Sequence, residues 1–280
     1  MTGVIMGCVA FVYLSMRLPA VDVLKDMHMQ VPLRVYTSDH QLMGEFGSKR
    51  RIPIQFKDIP PQLTQAVLAV EDARYYEHPG VDFIGLVRAA KAVVLSGHKV
   101  QGASTITMQV ARNFFLTRKK TYSRKIREIL LALKIDRELS KDKVLELYLN
   151  KIYFGHRAYG VETAAHVYYG KSTSDLTLPQ MAMLAGLPQA PSRNNPIDNP
   201  SQALIRRNHV LLRMLEVGDI SKATYAQAIK APVTAKYHYQ KIKVKAPYVA
   251  EMVRQLMVKD FGQAAYDMGL EVTTTISADK

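Results

Sequence analysis

Residues 61–80 read PQLTQAVLAVEDARYYEHPG. Leu63, Ala66, Val67 and Val70 recur at i, i+3, i+4 and i+7, the spacing of one helix face. That helix is predicted to end near Glu71-Asp72, and Pro79-Gly80 stops any continuation. Its end is dense in chemistry, with Glu71, Asp72, Glu77 and His78 close together. A carboxylate at a helix C-terminus faces the negative end of the macrodipole, an environment suited to a group that must accept a proton. The plainer alternative is a solvated turn carrying unrelated charges.

Working outward, the pattern stays helical. FIGLVRAAKAVVL (83–95) is a strongly apolar stretch, and Gly97-His98 opens a loop. Further helices are predicted at about 104–116, 123–138, 141–152 and 158–168. Thr177-Leu-Pro-Gln180 has the form of a capping box with an early proline, and the helix it opens stops at Gly186-Leu-Pro188. PSRNNPIDNP (191–200) is a turn-rich link to a helix over 200–217, closed by Gly218. Ser221 starts a short helix that ends by Pro232.

The flanks differ. Residues 31–57 look extended: LRVYTSD, a turn at Asp39-His40, LMGEFG, then IPIQF. After residue 233, VTAKYHYQKIKVK alternates as strands do, Pro247 to Phe261 reads as a helix closed by Gly262, and LEVTTTIS (270–277) is strand-like. The fold class is therefore mainly α with short β segments at both flanks. Four parts are expected: 1–18, 19–57, 58–232 and 233–280. The first contains Val4–Met16, VIMGCVAFVYLSM, without charge before Arg17. It is shorter than the roughly 20 residues that span a bilayer and is read as a partial transmembrane anchor.

With 280 residues, 48% hydrophobic and 22% charged, the chain can bury a sizeable core and is not disordered. The net charge of +14 points to a polyanionic partner: nucleic acid, an anionic membrane or a phosphorylated substrate. The excess is partly local. Arg112, Arg118, Lys119, Lys120, Arg124, Lys125 and Arg127 follow one another with no acid before Glu128. The lone Cys8 excludes an internal disulfide, and no zinc spacing, P-loop or dinucleotide fingerprint occurs.

Three further clusters carry chemistry. In GASTITMQVARN (102–113), Ser104 is a good N-cap, and Thr105, Gln109 and Arg112 at i, i+4 and i+7 share a face opposite Ile106, Val110 and Phe114. A hydroxyl, an amide and a guanidinium together suit an oxygen-rich anion. In SRKIREIL (123–130), Ile126, Ile129, Leu130 and, further on, Leu133 form the expected buried stripe. Arg124 and Lys125 stand four and three residues before Glu128. KDKVLELYLNKIYFG (141–155) gives a wide apolar face of Val144, Leu145, Tyr148, Leu149 and Ile152, and reads as a core helix with Glu146 off that face.

These clusters, in this order, resemble glycosyltransferase family 51, the peptidoglycan-polymerising domain of class A penicillin-binding proteins. The likeness runs from about residue 50 to 215. It rests on Glu71-Asp72 through His78-Pro79-Gly80, Gly102 to Gln109 with Arg112, Arg124-Lys125-Ile-Arg-Glu128, Lys141 to Asn150, and Arg206-Arg207-Asn208-His209-Val210-Leu211. Tyr75 stands where the family usually has Phe, Met108 precedes Gln109 where Gln-Gln is usual, and Arg112 replaces the usual Lys.

The resemblance implies a lysozyme-like fold with a small, mobile, membrane-facing jaw that includes 83–95. It implies polymerisation of lipid II with inversion and release of undecaprenyl pyrophosphate. Glu71 and Glu128 would be the catalytic carboxylates. Asp72, His78, Ser104, Thr105, Gln109, Arg112, Arg124 and Lys125 would bind substrate. The partners implied are lipid II, the lipid-linked growing glycan, the membrane and the inhibitor moenomycin, and no nucleic acid. No cofactor is required; a divalent cation, Mg or Mn, can assist the departing pyrophosphate, although no metal cage is visible. The domain is expected on the outer face of the cytoplasmic membrane, its tail leading toward a transpeptidase domain. The Ser-x-x-Lys matches at Ser96, Ser140 and Ser277 lack their usual partners and are read as chance. The rival readings are a lytic, lysozyme-like glycan-cleaving enzyme and a binding module without chemistry.

Overall fold

The computed structural model describes residues 18–25, 27, 29–47, 50–96, 104–117, 119, 121–238 and 244–278. The Val4–Met16 segment, Cys8, Arg118, Lys120 and the 97–103 loop lie outside the described residues. Ten α-helices follow in chain order among the described residues: α1 (Pro61–Glu71), α2 (Phe83–Ser96), α3 (Ile106–Phe115), α4 (Tyr122–Glu138), α5 (Lys141–Lys151), α6 (Val161–Tyr169), α7 (Leu178–Gly186), α8 (Pro200–Glu216), α9 (Lys222–Ala228) and α10 (Pro247–Phe261). No helix among the described residues is long and apolar enough to cross a membrane. The chain divides into two compact units, one of Met1–Met27 with Leu68–Tyr148, the other of His28–Val67 with Leu149–Lys280.

In the first unit, α3 packs on α4. Ile106, Val110 and Ala111 are buried on α3, and Leu131, Ala132 and Ile135 on α4. Met108, Val81 and Ala132 make a small core edged by Leu86, Ile129 and Leu133. Each fully buried aliphatic side chain of this kind contributes about 1.5–3 kcal/mol. Ile126 departs from the expected stripe, being 46% exposed. Glu128 is instead turned inward, 1% exposed, so the buried face of α4 is rotated toward Glu128, Leu131 and Ile135.

The 78–80 turn is fixed from several sides. Gly80 has φ +75°, and a Cβ there would lie 2.5 Å from the Ala132 carbonyl oxygen. Lys141 Nζ donates to the His78 carbonyl at 2.5 Å and to Asp136 at 2.6 Å, while the Tyr75 hydroxyl donates to the Lys141 carbonyl at 2.7 Å.

In the second unit, Ala164 and Tyr168 of α6, Leu184 of α7, and Val210, Leu211 and Met214 of α8 are buried. Arg207, 1% exposed, is structural: its guanidinium donates to the Ala231 and Ile229 carbonyls at 2.6 and 2.9 Å. The expected capping box is present, Thr177 N–H donating to Gln180 Oε1 at 3.0 Å. Glu162 is buried; it meets His166 at 3.1 Å and accepts from the Thr173 amide and hydroxyl at 3.0 and 2.6 Å. Burial alone would raise its pKa, yet those hydrogen bonds hold the carboxyl down to about 2.

A three-stranded sheet also belongs to this unit, in the order β2 (Leu42–Phe46), β1 (Leu33–Tyr36), β3 (Glu271–Thr273). β1 and β2 are antiparallel, with Leu33 opposite Phe46, and turn at Asp39-His40. β3 joins β1 in parallel, Val35 opposite Val272. The sheet thus draws on both flanking segments that the sequence separates. α10 packs on it, and Gly44 leaves room for Ala250, whose Cβ would stand 3.0 Å from any Cβ at position 44.

Two predicted strands are not strands. The backbone of IPIQF is paired by side chains: the Ile52 amide donates to Thr163 Oγ1 at 2.8 Å, and Asn150 bonds both the amide and the carbonyl of Ile54 at 2.9 and 2.8 Å. Residues 233–238 run along the end of α6, with the Lys236 and His238 amides bonding the Tyr168 and Val167 carbonyls. These bonds pair the named backbone groups without a ladder.

Candidate active site

Glu71 is the last residue of α1, as its sequence spacing predicts. Its Oε2 accepts a hydrogen bond of 2.9 Å from Gln109 Nε2 on α3. Gln109 Oε1 in turn accepts from Arg112 Nη2 at 3.4 Å. Spacing of three residues on one helix brings the amide and the guanidinium together, as expected. Glu71 is half-buried and no cation pairs with it among the described residues.

Thr105 does not join that face. It is 3% exposed, and its hydroxyl donates to the Gly80 carbonyl at 2.6 Å while accepting from the Met108 amide. It is the N-cap of α3, the place the sequence assigns to Ser104. The helix begins one residue later because the Asp72 carboxylate takes the Ile106 amide at 3.0 Å.

The other Asp72 oxygen meets His78 Nε2 at 2.9 Å, and both residues are buried. Asp72 and His78 therefore tie the end of α1 to the start of α3. Their polar atoms face each other and the helix terminus, while His78 Nδ1 is buried without a hydrogen-bond partner among the described residues.

The second carboxylate sits in a different environment. Glu128 Oε2 receives Arg124 Nη1 at 3.0 Å, and Oε1 receives Lys125 Nζ at 2.8 Å. Lys125 also donates to Ser104 Oγ at 2.8 Å. Ser104, displaced from the cap, thereby links the segment entering α3 to the cation pair on α4. Arg124 and Lys125 remain 17% and 37% exposed. The arrangement is a buried anion holding two cations whose outer surfaces stay open to a ligand.

Tyr148 was legible only as a core residue of α5. It is 1% exposed, and its hydroxyl has no hydrogen-bond partner among the described residues. Burial raises its pKa, with the Glu71 charge raising it further and Arg112 opposing. Its surroundings thus include the charges of Glu71 and Arg112, a neighbourhood that apolar periodicity cannot reveal.

Both Asp72 oxygens and both Glu128 oxygens are engaged, and no group of three His, Cys, Asp or Glu side chains that could hold a metal ion occurs among the described residues.

Residues 39–215 match the family described as Transglycosylase. The chain belongs to that family. Among its relatives, the transglycosylase chain is 52% identical over 270 residues to penicillin-binding protein 1A of Pseudomonas aeruginosa, covering 96% of this chain and 33% of that protein. It is 49% identical over 265 residues to penicillin-binding protein 1A of Escherichia coli, covering 95% and 31% respectively. The crystal structure of penicillin-binding protein 1A from Haemophilus influenzae superimposes with a TM-score of 0.53 at 34% identity, over 90% of this chain and 28% of that one. The transglycosylase chain thus spans about a third of the length of these relatives.

Proposed function

We propose that this domain is a peptidoglycan glycosyltransferase that polymerises lipid II into glycan strands. The observation that carries the reading is the contrast between two carboxylates of one unit. Glu71 is half-open and oriented by a neutral amide, whereas Glu128 is buried and clamped by two cations.

Glu71 accepts the proton of the acceptor sugar's 4-hydroxyl as that oxygen attacks the donor's anomeric carbon. A glycosidic C–O bond forms, the anomeric C–O bond to the pyrophosphate breaks, and configuration inverts. Undecaprenyl pyrophosphate leaves with its negative charge. Lys125, Arg124 and Arg112 supply the positive field for that charge, and Glu128 holds the first two in place. Gln109 positions Glu71 and tethers Arg112, so one side chain of α3 links the proton acceptor at the end of α1 to a leaving-group cation. A divalent cation, Mg or Mn, bound to the pyrophosphate would assist this departure.

The membrane is the second partner. Phe83, Ile84, Val87 and Val94 of α2 are 52, 65, 71 and 83% exposed, and Arg88 and Lys91 are exposed beside them. An apolar face bordered by cations suits the surface of an anionic bilayer. This reading puts the domain on the outer face of the cytoplasmic membrane, where its lipid-linked substrate is presented. Moenomycin binding, implied by the family likeness, is part of the proposal.

A lytic enzyme would also use Glu71, but a leaving sugar has no need of the Arg112, Arg124 and Lys125 cluster. Incubation with lipid II in detergent separates the readings. Glycan polymer supports the transferase, whereas cleavage of added polymer without synthesis supports the lytic enzyme.

A further inference from the structure

The start of α5 is bound to the segment that follows Glu71. Lys141 Nζ donates to the His78 carbonyl at 2.5 Å, and the Tyr75 hydroxyl donates to the Lys141 carbonyl at 2.7 Å. The Tyr76 hydroxyl donates to Asp142 at 3.1 Å beside them. Val144 and Tyr148 follow Lys141 at i+3 and i+7, so the three share one side of the helix. Val144 is fully buried, as is the Tyr148 ring. Tyr148 thus stands two turns along α5 from an anchored end, in the same unit as Glu71, Gln109 and Arg112.

The Tyr148 hydroxyl has no hydrogen-bond partner among the described residues. A buried tyrosine ordinarily finds one, because leaving the group unpaired is costly. Burial first, then the Glu71 charge, pushes its pKa well above the ordinary 10, so the group stays protonated and offers a donor. Arg112 and Asp72 are the other charges that reach it. Asp72 is committed through both oxygens, to His78 and to the Ile106 amide, and Arg112 is itself a donor. Glu71 differs from both. Its Oε2 accepts from Gln109, and its Oε1 accepts no hydrogen bond among the described residues. An unfilled donor and an unfilled acceptor therefore share one neighbourhood.

We propose that Tyr148 is a positioning residue for glycosyl transfer: its hydroxyl donates to Glu71 Oε1 once substrate covers the carboxylate. The inference rests on the glycosyltransferase reading of Glu71. Glu71 is half-buried on the last turn of α1, so its carboxylate can turn about its own side-chain bonds, while the anchored α5 holds the hydroxyl in place. Gln109 on one oxygen and Tyr148 on the other fix the plane of the carboxylate, and each oxygen keeps a lone pair for the 4-hydroxyl proton. The gain is in direction and charge state, not in strength as a base. When substrate displaces water, a donated hydrogen bond keeps the carboxylate ionised and able to accept. Tyr148 retains its own proton throughout, and the transferred proton ends on Glu71.

The test is steady-state polymerisation of lipid II in detergent by the 280-residue chain, with Tyr148→Phe beside the parent and Val144→Ala as the packing control. Tyr148→Phe should lower kcat at least tenfold, keep KM within twofold and leave the thermal midpoint no lower. Val144→Ala should lower the midpoint and keep kcat within threefold. Losing a bond donated to a carboxylate should move the acidic limb of the kcat profile to higher pH. The limb of kcat/KM, which reports the free enzyme, should stay in place. A Tyr148→Phe variant with parental kcat, or one whose loss lies in KM or in the midpoint alone, overturns the proposal. So does a Val144→Ala variant whose kcat falls as far, since packing of α5 would then account for the loss. A parent chain that makes no polymer overturns the glycosyltransferase reading itself, and this inference with it.

Discussion

Glu71→Gln preserves the shape of the side chain and its bond to Gln109 but removes the capacity to accept a proton. Lipid II polymerisation should fall at least a hundredfold, while moenomycin affinity changes less than threefold, since general base catalysis alone contributes about 10²–10⁴. Polymerisation near the parent rate would refute the assignment. Glu128→Gln acts differently. It leaves Arg124 and Lys125 without their buried anion, so turnover and moenomycin affinity should fall together, measured side by side with the first variant. Tyr148 offers a control on the same neighbourhood. Its buried hydroxyl lacks a hydrogen-bond partner among the described residues, so Tyr148→Phe should leave the thermal midpoint unchanged or raise it, a gain of up to about 1 kcal/mol. A loss of more than that would show that the hydroxyl is bonded in solution.

Between α6 and the short 3-10 helix Thr173–Asp175, Glu162 is the connecting charge. Its folded pKa of about 2 lies below the ordinary 4.5, so the ionised form is the one the fold favours. Its contribution is complete above about pH 4.5 and fades as pH falls toward 2. Glu162→Gln should therefore destabilise the chain by about 1–3 kcal/mol at pH 7. Chemical denaturation of parent and variant should converge as the solution is acidified through that window. At this scale the sequence was informative where the signal is local. The end of α1 at Glu71, the capping box at Thr177 and the helix over Pro247–Phe261 all stand where periodicity and caps put them. So do Gln109 with Arg112, and Glu128 with its two cations, because helix spacing alone joins them. Other features depend on partners far along the chain. IPIQF looks like a strand until Thr163 and Asn150 supply its hydrogen bonds, and Ser104 looks like a cap until Lys125 claims it. Ile126 reads as core because nothing local announces that Glu128 is turned inward.

Taken whole, the molecule combines a charge of +14 with an apolar face on α2. Binding to anionic vesicles should weaken as salt rises, since exposed charges are screened within about 8 Å at physiological ionic strength. Ile84→Asp together with Val87→Asp should reduce vesicle binding in sedimentation assays at every salt concentration, because it removes the apolar component. Unchanged binding would assign the membrane affinity elsewhere. The parallel partnership of β1 and β3 has a different kind of consequence, one that concerns time. Gln30 and Asp267, at the margin of that pairing, are 237 positions apart. A ribosome adding roughly 5–20 residues each second needs on the order of ten seconds or more to make that stretch. Throughout that interval the β1–β2 hairpin exists with one edge uncapped, a template for pairing with another nascent chain. Synthesis rate, rather than the finished structure, then governs how many chains reach their own third strand first.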